Sequence, residues 1–437
     1  MAKGQTDLAA KIVKYLEENK ILLVDRSSSG RAATAKVLVE MGAKTYNILL
    51  AGSYAAAESE MKAHLPRLII SDYRLNEKNI LALVNGYKLD PVMNRECILI
   101  LVTSNALESS IAEAAEEDVD AYLVKPIAGP ALKKYLVAAI VRKLQPTSFM
   151  ELIYKGKAAA LEKNYDTALA TFLEASLLPE NPSLAFSLAG QIEVARRQWD
   201  KAEKYFAQGL EKKKAHFKCL SGIFDIYVSQ KKFAEAFEIG TQLAEEFPLS
   251  SARLESMLHL VVHNRNFDHV FDFYERYEAL DTKSASLDKC MAAVLVLTGK
   301  SFCTRNQVAN AKLAFERSLL VSNKNIAIFR EVIVSLVENK MLEEASYFLN
   351  HFQINGEAGS KEDTLLRTLR FLISNQTETV SQVIEYGRKL IAEEVFDPMI
   401  FEVMIQRANE AKLKAYAETL VFDAIRRWPE LKHRFQS

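Results

Sequence analysis

Four strand-like stretches in the first third of the chain end on side chains that could handle a phosphoryl group. Asp25 follows the apolar run ILLV, Asp72 follows LIIS, Thr103 and Ser104 follow ILILV, and Lys125, with Pro126 behind it, follows AYLV. Two carboxylates, a hydroxyl and an ammonium in one cleft suit transfer of a phosphoryl group to a carboxylate. Asp72 would be the nucleophile, Thr103 would hydrogen-bond one phosphoryl oxygen, and Lys125 would pair with another. Taken singly, Asp25 reads equally well as a helix cap, Thr103 as a strand-end hydroxyl and Lys125 as a solvated charge. Their value depends on whether the fold delivers them to one place.

The intervening sequence supplies elements that could do so. Short apolar runs at 20–24, 46–50, 68–71, 97–102 and 121–124 alternate with helical patterns at 30–41, 54–63, 78–88, 108–117 and 130–144, after an amphipathic helix within residues 1–18. Five strands alternating with crossover helices predict a parallel, doubly wound α/β sheet over residues 19–145. The carboxyl ends of its strands would converge at the edge where such folds bind ligands.

With ILLVDRS, LIISDYR, ILILVTSN and AYLVKPI in this order, the first 145 residues resemble the CheY-like receiver domain of bacterial response regulators, a flavodoxin-like (βα)5 fold. The resemblance implies that Asp72 accepts a phosphoryl group from a histidine kinase or phosphotransfer protein. It implies Mg²⁺ held beside it by Asp25 and Asp72, and Thr103 and Tyr122 as switch residues. It also implies homodimerisation through the fourth and fifth receiver helices.

Two departures qualify that reading. Where the family carries a second acid after the first strand, this chain has Arg26. A guanidinium about 4 Å from a divalent cation costs about 8 kcal/mol at an effective dielectric of about 20, so Mg²⁺ requires Arg26 to swing to solvent, as its length permits. The family's proline and glycine after the acceptor are replaced by Leu75-Asn76-Glu77-Lys78-Asn79. Either Arg26 pairs with Asp72 and imitates the metal's charge, giving a constitutive pseudo-receiver, or Asp72 is phosphorylated with weakened metal dependence.

Beyond Gln145-Pro146-Thr147-Ser148 the strand signals fade. Ala168, Ala202 and Ala236 recur 34 residues apart, with Val270 in the next slot; Ala311 and Ala345, then Val383 and Ala417, repeat the interval. Tyr165, Trp199, Phe233 and Phe267 stand three residues before the first four, and Phe172, Phe206 and Tyr274 four residues after three of them. With Gly156, Gly190, Pro248 and Pro429 at matching positions, residues 149–437 resemble about eight tetratricopeptide repeats. The family stacks helical hairpins into a superhelix whose concave face binds peptides. In this register Gln191, Lys218, Asp225, Glu255 and His259 face the groove. Insertions are expected near 281–286 and 356–360.

Other motifs carry less. His259 and His263 have a metal-compatible spacing on one helix but lack a clear fourth ligand. Gly299-Lys300-Ser301 imitates a phosphate-binding loop, yet it is read as a hairpin turn with no glycine at 294. Lys212-Lys213-Lys214 reads as a solvated helix end. Lysine plus arginine balances aspartate plus glutamate at 56 each, so no basic field draws the 437-residue chain to nucleic acid. The four cysteines lack disulfide or metal spacing, and no apolar run reaches membrane-spanning length. The sequence is expected to encode a cytoplasmic signalling adaptor, not an enzyme beyond its own phosphorylation and dephosphorylation. Its repeats would bind a protein partner under control of Asp72. The alternatives are a constitutive pseudo-receiver scaffold and a phosphate sink that drains a kinase.

Overall fold

The computed structural model describes residues 2–75, 78–87, 91–103, 119–247, 249–280, 283–352 and 359–436. It divides into two compact units, Met1–Arg253 with Ala279–Thr282, and Leu254–Glu278 with Lys283–Ser437.

The first unit begins with helix α1 (Ala2–Glu18) and then alternates strands and helices. Strands β1 (Ile21–Val24), β2 (Ile48–Ala51), β3 (Leu68–Asp72), β4 (Ile98–Thr103) and β5 (Ala121–Val124) form one sheet in the order β2-β1-β3-β4-β5. Every pairing is parallel, with Ile21 opposite Ile48 and Leu68, Leu68 opposite Ile98, and Ile100 opposite Ala121. The strands read as unbroken apolar runs because both sheet faces are covered. Ile21, Leu23, Leu68, Ile70, Ile98 and Ile100 pack under α1, α2 (Ser28–Glu40) and α6 (Gly129–Leu144). The alternate residues Leu22, Val24, Ile69, Leu99 and Leu101 pack with Ala57 and Met61 of α3 (Tyr54–His64) and Val84 of α4 (Leu81–Tyr87).

Several local expectations change. The helix expected over 78–88 starts later, because Lys78–Asn79 pairs antiparallel with Arg74–Leu75. A further short helix, α5 (Pro91–Glu96), precedes β4, started by the proline that a first helical turn tolerates. The helix expected at 108–117 lies outside the described residues, and with it the fourth-helix part of the expected dimer face.

After α6, hairpins of antiparallel helices take over: α7 (Ser148–Leu161) with α8 (Tyr165–Ser176), α9 (Pro182–Ala195) with α10 (Trp199–Lys212), and α11 (Phe217–Ser229) with α12 (Phe233–Glu246). The 34-residue period has a steric origin. Ala168, Ala202 and Ala236 are fully buried. A Cβ added to Gly156 would come within 2.4 Å of the Phe172 ring, and one on Gly190 within 2.6 Å of Phe206. Glycine on the first helix therefore seats an aromatic ring sixteen residues later. The turns repeat as well: Lys163, Arg197, Lys231 and Arg265 all adopt left-handed backbone, with φ between 56° and 61°.

The second unit continues the pattern. Helices Ala285–Thr304 and Val308–Val321, Ile326–Glu338 and Leu342–His351, Lys361–Thr377 and Val380–Ala392, and Pro398–Glu410 and Lys414–Arg427 follow in sequence. Gly299 and Phe315 repeat the arrangement, since a Cβ added to Gly299 would run into the Phe315 ring. Gly299-Lys300-Ser301 thus lies inside a helix of 20 residues, not in a turn, because that repeat is lengthened within its first helix. Phe273 and Tyr277 are the buried aromatics of the helix Val270–Glu278, with Tyr274 only half-buried beside them. Pro248 and part of the expected insertions, residues 281–282 and 356–358, lie outside the described residues. The N-terminal α/β sheet is therefore followed by a long series of tetratricopeptide-like hairpins.

Candidate functional site

Parallel strands bring the predicted residues to one edge. Asp25 follows the end of β1, Asp72 closes β3, and Lys125 follows β5, joined to Pro126 by a cis peptide bond. The Lys125 ammonium bridges the two acids, with Nζ 2.7 Å from Asp25 Oδ2 and 2.6 Å from Asp72 Oδ1. The two carboxylate oxygens are therefore within twice a hydrogen-bond length of each other. Both carboxylates are largely removed from water, at 15% and 13% side-chain exposure, against 31% for Lys125.

This crowding drives the two acids apart. For Asp72, burial is the largest influence and the Asp25 charge adds to it; together they outweigh Lys125 and raise its carboxyl above the usual range. Burial also opposes ionisation of Asp25, but hydrogen bonds from Lys125 and from the Ser27 N–H at 2.7 Å outweigh it, so that carboxyl is held low. Lys125 loses hydration on burial, yet the two acids more than compensate and raise its value. One acid is thus fixed as a charge and its neighbour is kept basic, which suits a nucleophile.

The remaining walls come from α2 and the loop after β5. Together with Asp25, Asp72 and Lys125, residues that include Gly30, Arg31, Thr34, Ser71 and Ile127 line a cleft of about 450 Å³. Ser27 caps α2 by accepting the Gly30 N–H at 3.1 Å. A Cβ on Gly30 would come within 2.5 Å of Asp25 Oδ2, so only glycine leaves that carboxylate its place. Arg31 donates through Nη1 to the Asp25 carbonyl. Sequence reasoning missed Gly30 and Arg31 because neither belongs to an apolar run; only their spacing from Asp25 could have signalled them.

Other expected residues are placed differently. Arg26 is solvent-exposed, and the ion-pair partner that Asp72 holds in this cleft is Lys125. Tyr122 is half-buried beside Leu101, packed on the α3 face of the sheet. Thr103 closes β4, but its side chain lies outside the described residues, as does Ser104.

The Mg²⁺ implied by the receiver resemblance finds a poor donor set. Asp25 and Asp72 both turn an oxygen to Lys125, an arginine follows Asp25, and among the described residues no three His, Cys, Asp or Glu side chains cluster to hold a metal. The positive charge between the two acids is the lysine's own.

Within the first unit, Gln191, Lys218 and Asp225 of the expected groove do come together. They line a second cavity of about 490 Å³ with Trp199, Phe206, Phe217 and Arg253. Arg253, which the repeat register did not single out, donates to Asp225 at 3.1 Å and lies over the Phe217 and Phe224 rings. Glu255 and His259 belong to the second unit; Glu255 accepts a 2.6 Å hydrogen bond from Ser286, and His259 is exposed.

The fold thus pairs a receiver-like domain with tetratricopeptide-like repeats. Solved structures are similar to parts of this chain. The N-terminal domain of an uncharacterized protein from Wolinella succinogenes is 22% identical, covering 30% of this chain and 99% of its own, with a TM-score of 0.26. A tetratricopeptide repeat protein from Parabacteroides merdae is 13% identical, covering 60% of this chain and 98% of its own, with a TM-score of 0.31. A chain of Naa15/Naa10 bound to HypK-THB is 11% identical over 70% of this chain and 61% of its own, with a TM-score of 0.32. No family model and no curated protein matches the sequence. Among the described residues, no helix is long and apolar enough to cross a membrane.

Proposed function

We propose that this protein is a cytoplasmic, two-component-type signalling adaptor in which the Asp72 cleft controls protein binding by the repeats. The observation that supports this reading best is the convergence of Asp25, Asp72 and Lys125 on one nitrogen at the carboxyl edge of the sheet. In the proposed reaction an Asp72 oxygen attacks the phosphorus of a phosphohistidine in a kinase or phosphotransfer protein. The P–O bond forms, the P–N bond breaks, and the departing imidazole nitrogen keeps the electron pair. Lys125 then exchanges its contact with the Asp72 carboxylate for one with a phosphoryl oxygen, and the changed cleft alters how the repeats bind their partner. No further catalysis is assigned to the chain.

A specific observation favours a second reading, a constitutive pseudo-receiver: the Lys125 ammonium already occupies the space between the two acids, and Arg26 stands where an acid would favour a metal. Treating the protein with acetyl phosphate, with and without Mg²⁺, and weighing the peptide that contains Asp72 separates the two. An added phosphoryl mass that disappears in Asp72→Asn supports a working acceptor. If no condition modifies the protein, and wild type and Asp72→Asn capture the same partners from native lysate, the pseudo-receiver stands. Rapid loss of the group without altered partner capture would instead identify a phosphate sink.

A further inference from the structure

The cavity of about 490 Å³ on the first repeats holds a hydroxyl that the fold leaves unsatisfied. Ser221 of α11 is 6% exposed and lines the cavity, and its Oγ has no hydrogen-bond partner among the described residues. Buried hydroxyls elsewhere on the repeat helices behave otherwise: Ser187, Ser318 and Ser335 each donate to a carbonyl of their own helix at 2.6–2.8 Å. Leaving a buried polar group unpaired is unfavourable, so the Ser221 hydroxyl marks a place where a ligand atom belongs. Further polar groups continue from it. Asp225 stands one turn along α11; Arg253 bonds one of its oxygens at 3.1 Å, and the other accepts nothing among the described residues. The exposed Gln191 amide of α9 lines the same cavity.

The spacing of these acceptors selects a backbone conformation. Residues four apart on a helix are about 6 Å apart along its axis. Main-chain N–H groups two residues apart on an extended chain are about 6.6–6.8 Å apart and face the same way. Ser221 and Asp225 therefore match one side of an extended peptide, whereas a helical ligand spends those donors on its own carbonyls. The remaining lining is apolar. Phe206 forms a fixed surface, because a Cβ at either Gly190 or Gly222 would run into its ring, and Trp199, Phe217, Val194 and Ile226 add to it. We infer that the cavity takes one large apolar side chain, of leucine or phenylalanine size, from an extended segment of the partner, while Ser221 and Asp225 accept main-chain N–H groups beside it. The inference rests on the reading that the repeats bind a protein, and it fixes the conformation and anchor of the bound segment.

Trp199 lines the cavity and reports on it in a Trp428→Phe background of the full chain. The probes are acetylated, amidated heptapeptides Ser-Gly-Ser-X-Ser-Gly-Ser, with X leucine, phenylalanine or serine. Millimolar leucine and phenylalanine peptides should shift Trp199 emission saturably, and the serine peptide should bind roughly tenfold more weakly or not at all. Methylating the main-chain nitrogens one at a time should weaken binding roughly tenfold at positions two apart and spare the alternate ones. Ser221→Ala should weaken the leucine peptide roughly fivefold but leave its sensitive N-methylated form no weaker than with wild type. The substitution removes a hydroxyl that bonds nothing in the fold, and an unchanged circular-dichroism melt verifies the variant. Absence of any shift with millimolar peptide overturns the inference. So does indifference to N-methylation, which would leave only an apolar pocket, or unchanged affinity in Ser221→Ala. None of these readouts involves Asp72, so failure here leaves its phosphorylation to be decided by the acetyl phosphate experiment.

Discussion

Replacing Lys125 by methionine keeps most of the stem's volume and removes the charge that joins β1 to β3. Two charge-assisted contacts, at 2.7 and 2.6 Å, disappear, and two largely buried carboxylates are left facing each other. Given the partial exposure of the lysine, the cost is about 2–3 kcal/mol at neutral pH. The loss shrinks as pH falls, because Asp72, whose carboxyl is already held up, takes a proton and relieves the repulsion. In the native protein Lys125 has its value raised, so its contribution is complete below the unfolded value of 10.5 and fades only as pH rises through the higher folded value. Tryptophan fluorescence cannot report this, since Trp199 and Trp428 both lie in the repeats. Hydrogen exchange can. The Asp25 N–H bonds to the Ala51 carbonyl and the Tyr73 N–H to that of Val102, one at each acid. Peptides covering them should exchange roughly 30- to 150-fold faster in Lys125→Met. The acids should also behave oppositely when changed singly. Asp25→Asn slackens the sheet, whereas Asp72→Asn, which removes the acid that folding makes harder to ionise, leaves it unchanged or firmer. Unaltered exchange in Lys125→Met at pH 7 refutes the electrostatic account. So does an acceleration that persists undiminished when both aspartates are also replaced by asparagine.

Further outcomes follow from the repeats and from α4. Gly190→Ala, which drives a methyl into the Phe206 ring, should destabilise its hairpin by about 1–2 kcal/mol net of helix propensity, read by Trp199 in a Trp428→Phe background. Gly86→Ala, with nothing within 4 Å of the new methyl, should instead stabilise its helix by about 0.5–1 kcal/mol. His216 caps α11 by accepting the Cys219 N–H, and burial, aided by Lys213 and Lys218, lowers its value to about 4 from 6.5. A depressed folded value means stability that is present above 6.5 and lost as pH falls toward 4. The loss is about 1–2 kcal/mol after solvent screening, and His216→Asn should abolish it in urea titrations across that range.

The sequence exposed those features that depend on burial and period. Apolar runs located the five strands of the parallel sheet, since residues buried on both faces must all be apolar, and the 34-residue recurrence of Ala168, Ala202 and Ala236 located the hairpins because alanine marks close helix contact. Strand-end acids were legible for the same reason: a carboxylate straight after ILLV or LIIS has only the sheet edge to occupy. Residues whose role is set by a partner distant in sequence were not. That one lysine would bridge both acids is a matter of side-chain reach, and Lys125 is 100 positions from Asp25. Gly30, Arg31 and Arg253 likewise show their importance only through atoms that no periodicity predicts.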